Sequence, residues 1–149
     1  MKQYSPVIIG KVSIIAVILT ILLAIAACTA KRSSDEEKIL EIYAQMSRTF
    51  SREDLRGVMK DISKEFQSEM ENQKNYEEVQ KYRKTFILNN SNVSIDFRNI
   101  SISVSKSKAA VKLTVSMNTD QITENWVEID SLEKKHGSWK IVSWKLPAK

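Results

Sequence analysis

The chain has 149 residues, 23 of them basic and 18 acidic, for a formal net charge of +5, with one cysteine and one histidine. One cysteine excludes an intrachain disulfide and a thiolate zinc cluster. With a single histidine, a transition-metal site would rest on carboxylates alone, which suit harder ions. The charges are interspersed, as in Lys60, Asp61, Lys64, Glu65 and Glu69, which describes a mixed soluble surface and not the one-sided basic face of a nucleic-acid binder. No metal, cofactor or nucleic acid is expected.

The first thirty residues differ in kind from the rest. Lys2 and Lys11 precede an uncharged run from Val12 to Ala30, rich in Val, Ile, Leu and Ala. Positive residues, then an apolar stretch from Ile14 to Ile25, then small residues form the layout of an export signal. The run ends Ile25-Ala26-Ala27-Cys28, an aliphatic residue, two small residues and the only cysteine, which is a lipobox. Small residues let an extended segment enter a protease site, and the thiol accepts a diacylglycerol before cleavage. The expected organisation is a lipoprotein signal peptide over 1–27, lipid attachment at Cys28, a polar tether over 28–34 and one folded domain over 35–149. The expected location is the cell envelope, lipid-anchored and facing the periplasm or exterior. Thr29 is not the aspartate that commonly retains lipoproteins in an inner membrane, so an outer membrane is favoured where two exist. Two alternatives stay open. Cleavage could follow Ala26, leaving Cys28 an ordinary residue. Or the run could remain as a transmembrane anchor, since its length falls within the roughly 17–25 residues that span a bilayer. Flanking charge does not choose, because Lys2 and Lys11 on one side meet Lys31 and Arg32 on the other.

After the leader, about 115 residues remain, enough for a single domain. Three helices come first. Ser34 and Glu37 form a capping-box pair, and Ile39, Ile42, Tyr43, Met46 and Phe50 follow as one apolar stripe at helical spacing. Ser51 with Asp54 opens a second helix carrying Leu55, Val58, Met59, Ile62 and Phe66. Asn75 and Glu78 open a third, with Tyr76, Val79, Tyr82, Phe86 and Ile87 apolar and Asn89 and Asn90 as stops.

The period then changes to two. Val93, Ile95 and Phe97 alternate with polar residues, as do Ile100, Ile102 and Val104, and the break in parity between Phe97 and Ile100 predicts a bulge. A tight turn at Lys106–Lys108 leads to a strand with Val111, Leu113, Val115 and Met117 on one face. A loop over Thr119–Asn125, a strand over Trp126–Leu132, a hairpin tip at Lys134–Gly137 and a last strand over Ser138–Leu146 complete the order. The last strand is apolar on both faces, Trp139 and Ile141 on one, Val142 and Trp144 on the other, which predicts a place inside the sheet. The fold class is α+β, three helices packed on a curved four-stranded antiparallel sheet, preceded by the signal or anchor helix.

Three features carry a resemblance. Glu36-Glu37-Lys38-Ile39-Leu40-Glu41-Ile42-Tyr43 is followed directly by Asp54-Leu55 and a stretch ending Ile62-Ser63-Lys64-Glu65-Phe66. A helix then leads into long strands. The chain closes on His136-Gly137-Ser138-Trp139-Lys140-Ile141-Val142-Ser143-Trp144. This layout resembles the nuclear transport factor 2-like superfamily, a cone-shaped fold shared by ketosteroid isomerases, polyketide cyclases and many exported lipoproteins. The resemblance implies a hollow between sheet and helices, and it implies that a homodimer through the sheet is plausible. It does not imply a reaction.

No catalytic constellation stands out. His136 reads as a solvated turn residue. Asp96 falls, by parity, on the face away from Ile95 and Phe97 and reads as solvated. Glu128 and Asp130 share a strand face with Trp126; they either line a pocket mouth or form the wet face. Asn89, Asn92 and Asn99 begin chance glycosylation patterns. The expected function is therefore a non-enzymatic, membrane-tethered binding domain that holds a small apolar ligand or an envelope partner protein. Its pocket is expected to be lined by Tyr43, Met46, Tyr82, Val127 and Ile129. Two rivals are an inner-membrane assembly subunit of a secretion system with an uncleaved helix, and an isomerase- or cyclase-like enzyme. The enzyme requires a buried acid in the hollow with a raised pKa.

Overall fold

The computed structural model describes residues 34–147, and the residues from Glu36 onward make up one compact unit. The signal, Cys28 and most of the tether lie outside the described residues.

The first helix, α1, covers residues 34–50. Its predicted stripe is the buried one, since Ile39, Ile42, Tyr43, Met46 and Phe50 all lie in the core. Asp54, not Ser51, caps the next helix: its Oδ1 accepts from the Gly57 amide at 3.0 Å. A side chain at Gly57 would collide with Thr49 Cγ2, so glycine is what lets the two helices meet this closely.

The second helix, α2, is Leu55–Met59, only five residues, and it does not continue to Phe66 as the spacing predicted. The reason lies at the far edge of the sheet. Segment 61–67 runs alongside the last strand: Ser63 N donates to Ile141 O at 2.8 Å, Ile141 N to Asp61 O at 2.9 Å, and Gln67 N to Val142 O at 3.0 Å. A strand edge needs partners for its backbone groups, and a helix could not supply them. Ile62 and Phe66 still reach the core, so burial produced a helical spacing without a helix.

The third helix, α3, is Tyr76–Asn89. Asn75 Oδ1 accepts from Glu78 N at 3.0 Å and Glu78 Oε2 accepts from Lys74 N at 2.9 Å, a near-reciprocal cap. Asn90 ends it, donating from Nδ2 to Phe86 O at 2.8 Å.

Four strands follow: β1 Ser94–Ser105, β2 Lys108–Asn118, β3 Thr123–Lys135 and β4 Ser138–Lys145. They form one antiparallel sheet in chain order. The predicted bulge is present, with the β1–β2 register shifting between Arg98 and Ser101 and Asn99 at φ 52°. β3 begins earlier than expected, at Thr123, which pairs with Asn118. The β3–β4 turn is two residues, His136 and Gly137, at φ 49° and 82°, the backbone of a tight primed turn.

β4 is an edge strand, contrary to the expectation of an interior one. Its register with β3 moves from Leu132↔Ile141 to Ser131↔Ser143, leaving Val142 as an extra residue. That bulge flips the parity, so Trp139, Ile141 and Trp144 are all buried. Two apparent apolar faces are one inner face read through a bulge, and segment 61–67 covers the exposed edge. The core lies between the inner face of the sheet, led by Val111, Leu113 and Val115, and the stripes of α1 and α3.

Candidate ligand cavity

A cavity of about 80 Å³ sits on the inner face of the sheet. Helix α1 contributes Tyr43 and Met46, α3 contributes Tyr82, Arg83 and Phe86, β3 contributes Trp126, Glu128 and Asp130, and β4 contributes Trp144. Phe97, Val115 and Met117 add apolar wall. At roughly 10–15 Å³ per water, the space holds several waters or a small organic molecule.

Tyr43, Met46 and Tyr82 thus meet at one cavity, whereas Val127 and Ile129 do not line it. Register explains why. Trp126, Glu128 and Asp130 pair with Val115, Leu113 and Val111, whose side chains are buried on the inner face, and directly opposed residues share a face. Val127 is 37% exposed and, with Ile129, belongs to the outer face. Parity follows the pairing and overrides hydrophobicity at single positions.

Asp130 is the centre of the site. It is 2% exposed, and Tyr43 Oη donates to its Oδ2 at 2.7 Å. Its Oδ1 is buried and accepts from no protein N–H or hydroxyl, and Trp144 Nε1 is buried without an acceptor. Burial, and after it the charge of Glu128 together with a hydrogen bond to its carboxyl, holds the Asp130 carboxyl well above the usual carboxylate range, while the Tyr43 hydrogen bond and the Arg83 charge pull the other way. The Tyr43 phenol is pushed well above its ordinary value, first by burial and then by Asp130.

The surrounding groups hold this pair in place. Trp126 Nε1 donates to Glu128 Oε2 at 2.9 Å. The Arg83 guanidinium lies 5.3 Å from the Phe50 ring centre and 5.1 Å from that of Trp144 and donates to Val58 O at 3.3 Å. Burial lowers its pKa to about 10, against the charges of Glu128 and Asp130, so it stays cationic near neutrality. Tyr43 meets Phe97 edge to face, with centroids 5.2 Å apart. Tyr82 is 42% exposed and stacks on Phe86.

Chemically, the cavity wall combines apolar side chains with a neutral or ionised carboxyl and a fixed cation. That set can hold a small molecule by one polar end. A carboxyl with a raised pKa can also hold and release a proton. The enzyme alternative required such an acid in the hollow, and Asp130 meets that requirement. The other candidates lie elsewhere. Asp96 is half exposed and faces Arg98 at 3.4 Å, and His136 is exposed at its hairpin tip. Among the described residues no group of three or more His, Cys, Asp or Glu side chains could hold a metal ion, and no helix is long and apolar enough to cross a membrane.

No family model matches the sequence, and no curated protein matches it. Solved structures match the fold. Bd1075 of Bdellovibrio bacteriovorus superposes with a TM-score of 0.66 at 15% identity, over 80% of this chain and 41% of that one; the likeness therefore spans less than half of that protein. A nuclear transport factor 2-like protein of unknown function from Pseudomonas putida gives 0.65 at 8% identity, over 78% and 89%. A candidate dehydratase of the same family from Streptomyces avermitilis gives 0.64 at 12%, over 78% and 99%. At these identities the likeness is one of fold: three helices on a four-stranded antiparallel sheet in the nuclear transport factor 2-like, cystatin-like cone arrangement.

Proposed function

We propose that the domain is a small-molecule binding module held at a membrane by a lipid on Cys28. The observation that carries the binding reading is the cavity itself, a largely apolar hollow with Asp130, a carboxyl only 2% exposed, in its wall. Native mass spectrometry of the protein extracted in mild detergent tests this. A small molecule retained by the wild type and lost from Asp130→Leu supports the site; the same species on both proteins sinks it. The tether rests on the lipobox, and intact mass tests it in the same sample. A species lacking residues 1–27 and carrying acyl chains on Cys28 supports it. A mass near 17.1 kDa with a free thiol refutes the tether and favours the uncleaved assembly subunit.

One observation favours a second reading, proton-transfer catalysis. Asp130 combines a raised pKa with a fixed hydrogen bond from Tyr43, the equipment of a general acid or base. In that case Asp130→Asn keeps ligand binding but abolishes exchange of ligand C–H protons with solvent deuterium. Equal exchange in both proteins rules it out.

A further inference from the structure

The described residues 34–147 carry 18 basic and 18 acidic side chains, so the domain is neutral as a whole. Its charges are nevertheless unevenly placed. An open groove of about 790 Å³ lies between α2, segment 61–67, the start of α3 and the β3–β4 hairpin. Arg56, Lys60, Lys64, Lys135 and Lys140 line it, against one acid, Glu65. Two of the five cations are matched, Lys135 by Glu65 and Lys140 by Asp61. Arg56, Lys60 and Lys64 are exposed and form no ion pair among the described residues. Lys64 Nζ lies 3.7 Å from the centre of the Tyr76 ring, which holds its charge at the groove. The domain has acids enough to neutralise these three, and they lie elsewhere. We infer that this groove docks on the anionic phospholipid headgroups of the membrane that holds the protein.

The inference rests on the membrane anchor proposed above. Only six residues separate Cys28 from Ser34, and fully extended they span about 20 Å. An anchor at Cys28 therefore keeps the domain beside the headgroups at high effective concentration. A small free anion meets one or two of the cations. A headgroup surface presents many phosphates at once and meets all three, each Lys or Arg near it adding roughly fivefold in affinity. Beneath the cations, Met59, Ile62 and Tyr76 line the groove with carbon, a surface for the glycerol behind a headgroup. The leader cannot fill the groove, because residues 1–33 contain no acid, and Lys31 and Arg32 add two more cations beside the anchor.

The full chain, extracted in mild detergent, is reconstituted into nanodiscs of phosphatidylcholine and into nanodiscs of equal parts phosphatidylcholine and phosphatidylglycerol. Brief acetylation followed by peptide mass spectrometry reads the accessibility of each lysine. Lys60 and Lys64 are expected to react about threefold less in the anionic discs. The protection should vanish as salt rises from about 0.1 M to about 1 M, which shortens the screening length from about 10 Å to about 3 Å. Lys112, exposed on the outer face of β2, should not change. Equal labelling of Lys60 and Lys64 in both discs, or equal protection of Lys112, overturns the docking and leaves the anchor standing. Protein that leaves both kinds of disc overturns the anchor and the docking with it. Protection in neutral discs by added hexaglutamate, with none from phosphatidylglycerol, assigns the groove to an acidic protein segment and overturns the lipid.

Discussion

The two faces of β3 invert the usual division between inside and outside. Facing the core are Trp126, Glu128 and Asp130; facing outward are Val127 and Ile129. A strand can carry acids inward when the interior supplies partners. Here Tyr43 donates to Asp130, Trp126 donates to Glu128, and the Arg83 cation lies within reach of both charges. It can carry Val and Ile outward because single exposed apolar residues cost little. The inner face of β3 therefore holds the polar groups and the outer face the aliphatic ones.

Mutations at the two faces should show that difference. The largest effect is expected where the inner face is purely apolar: Leu132→Ala, at a fully buried position, should destabilise by about 2–5 kcal/mol in urea unfolding. Tyr43→Phe removes the Tyr43 hydrogen bond from the buried Asp130 carboxyl and should cost about 1–3 kcal/mol. Adding Asp130→Leu to Tyr43→Phe should restore much of that loss, because the buried acid is gone, and a double-mutant cycle measures the recovery.

The pH dependence is next. A carboxyl whose folded pKa is raised binds its proton more tightly in the folded state. Its contribution is complete below the ordinary carboxylate pKa of about 3.9 and is lost as pH rises through the higher folded value. Wild type should thus lose stability relative to Asp130→Asn as pH rises from about 4 up to the raised folded value. Glu65, whose pKa is lowered by the Lys135 hydrogen bond and charge, is common to both proteins and cancels. A difference that grows with pH instead would place Asp130 in a charge-stabilising environment. The smallest effect belongs to the outer face, where Val127→Ser should change stability by no more than about 0.5 kcal/mol.

The sequence carried the fold better than the site. The stripe from Ile39 to Phe50, the Asn75 cap and the parity break before Ile100 each rest on local chemistry, and each is present. What failed was non-local. The α2 periodicity did not reveal that segment 61–67 has to cover an open strand edge. The two-faced β4 did not show its bulge at Val142. The inward turn of Glu128 and Asp130 did leave a trace. The two-residue His136-Gly137 turn sets Leu132 opposite Ile141, and every second residue back from Leu132 shares its face: Asp130, Glu128, Trp126. Hydrophobicity pointed to Val127 and Ile129, and the register of the hairpin overruled it. The partner that makes the burial tolerable, Tyr43, lies 87 positions away, beyond any local pattern.

Where the Asp130 carboxyl points decides whether the cavity carries an acid. Carbon-13 NMR titration of its carboxyl in the full chain, assigned by comparison with Asp130→Asn, measures that directly. An inward, buried carboxyl titrates well above the ordinary value of about 3.9, and Tyr43→Phe raises it further because the hydrogen bond that favours the charged form is gone. A carboxyl that titrates at the ordinary value and ignores Tyr43→Phe belongs to a solvated outer face, and the cavity would hold no buried acid.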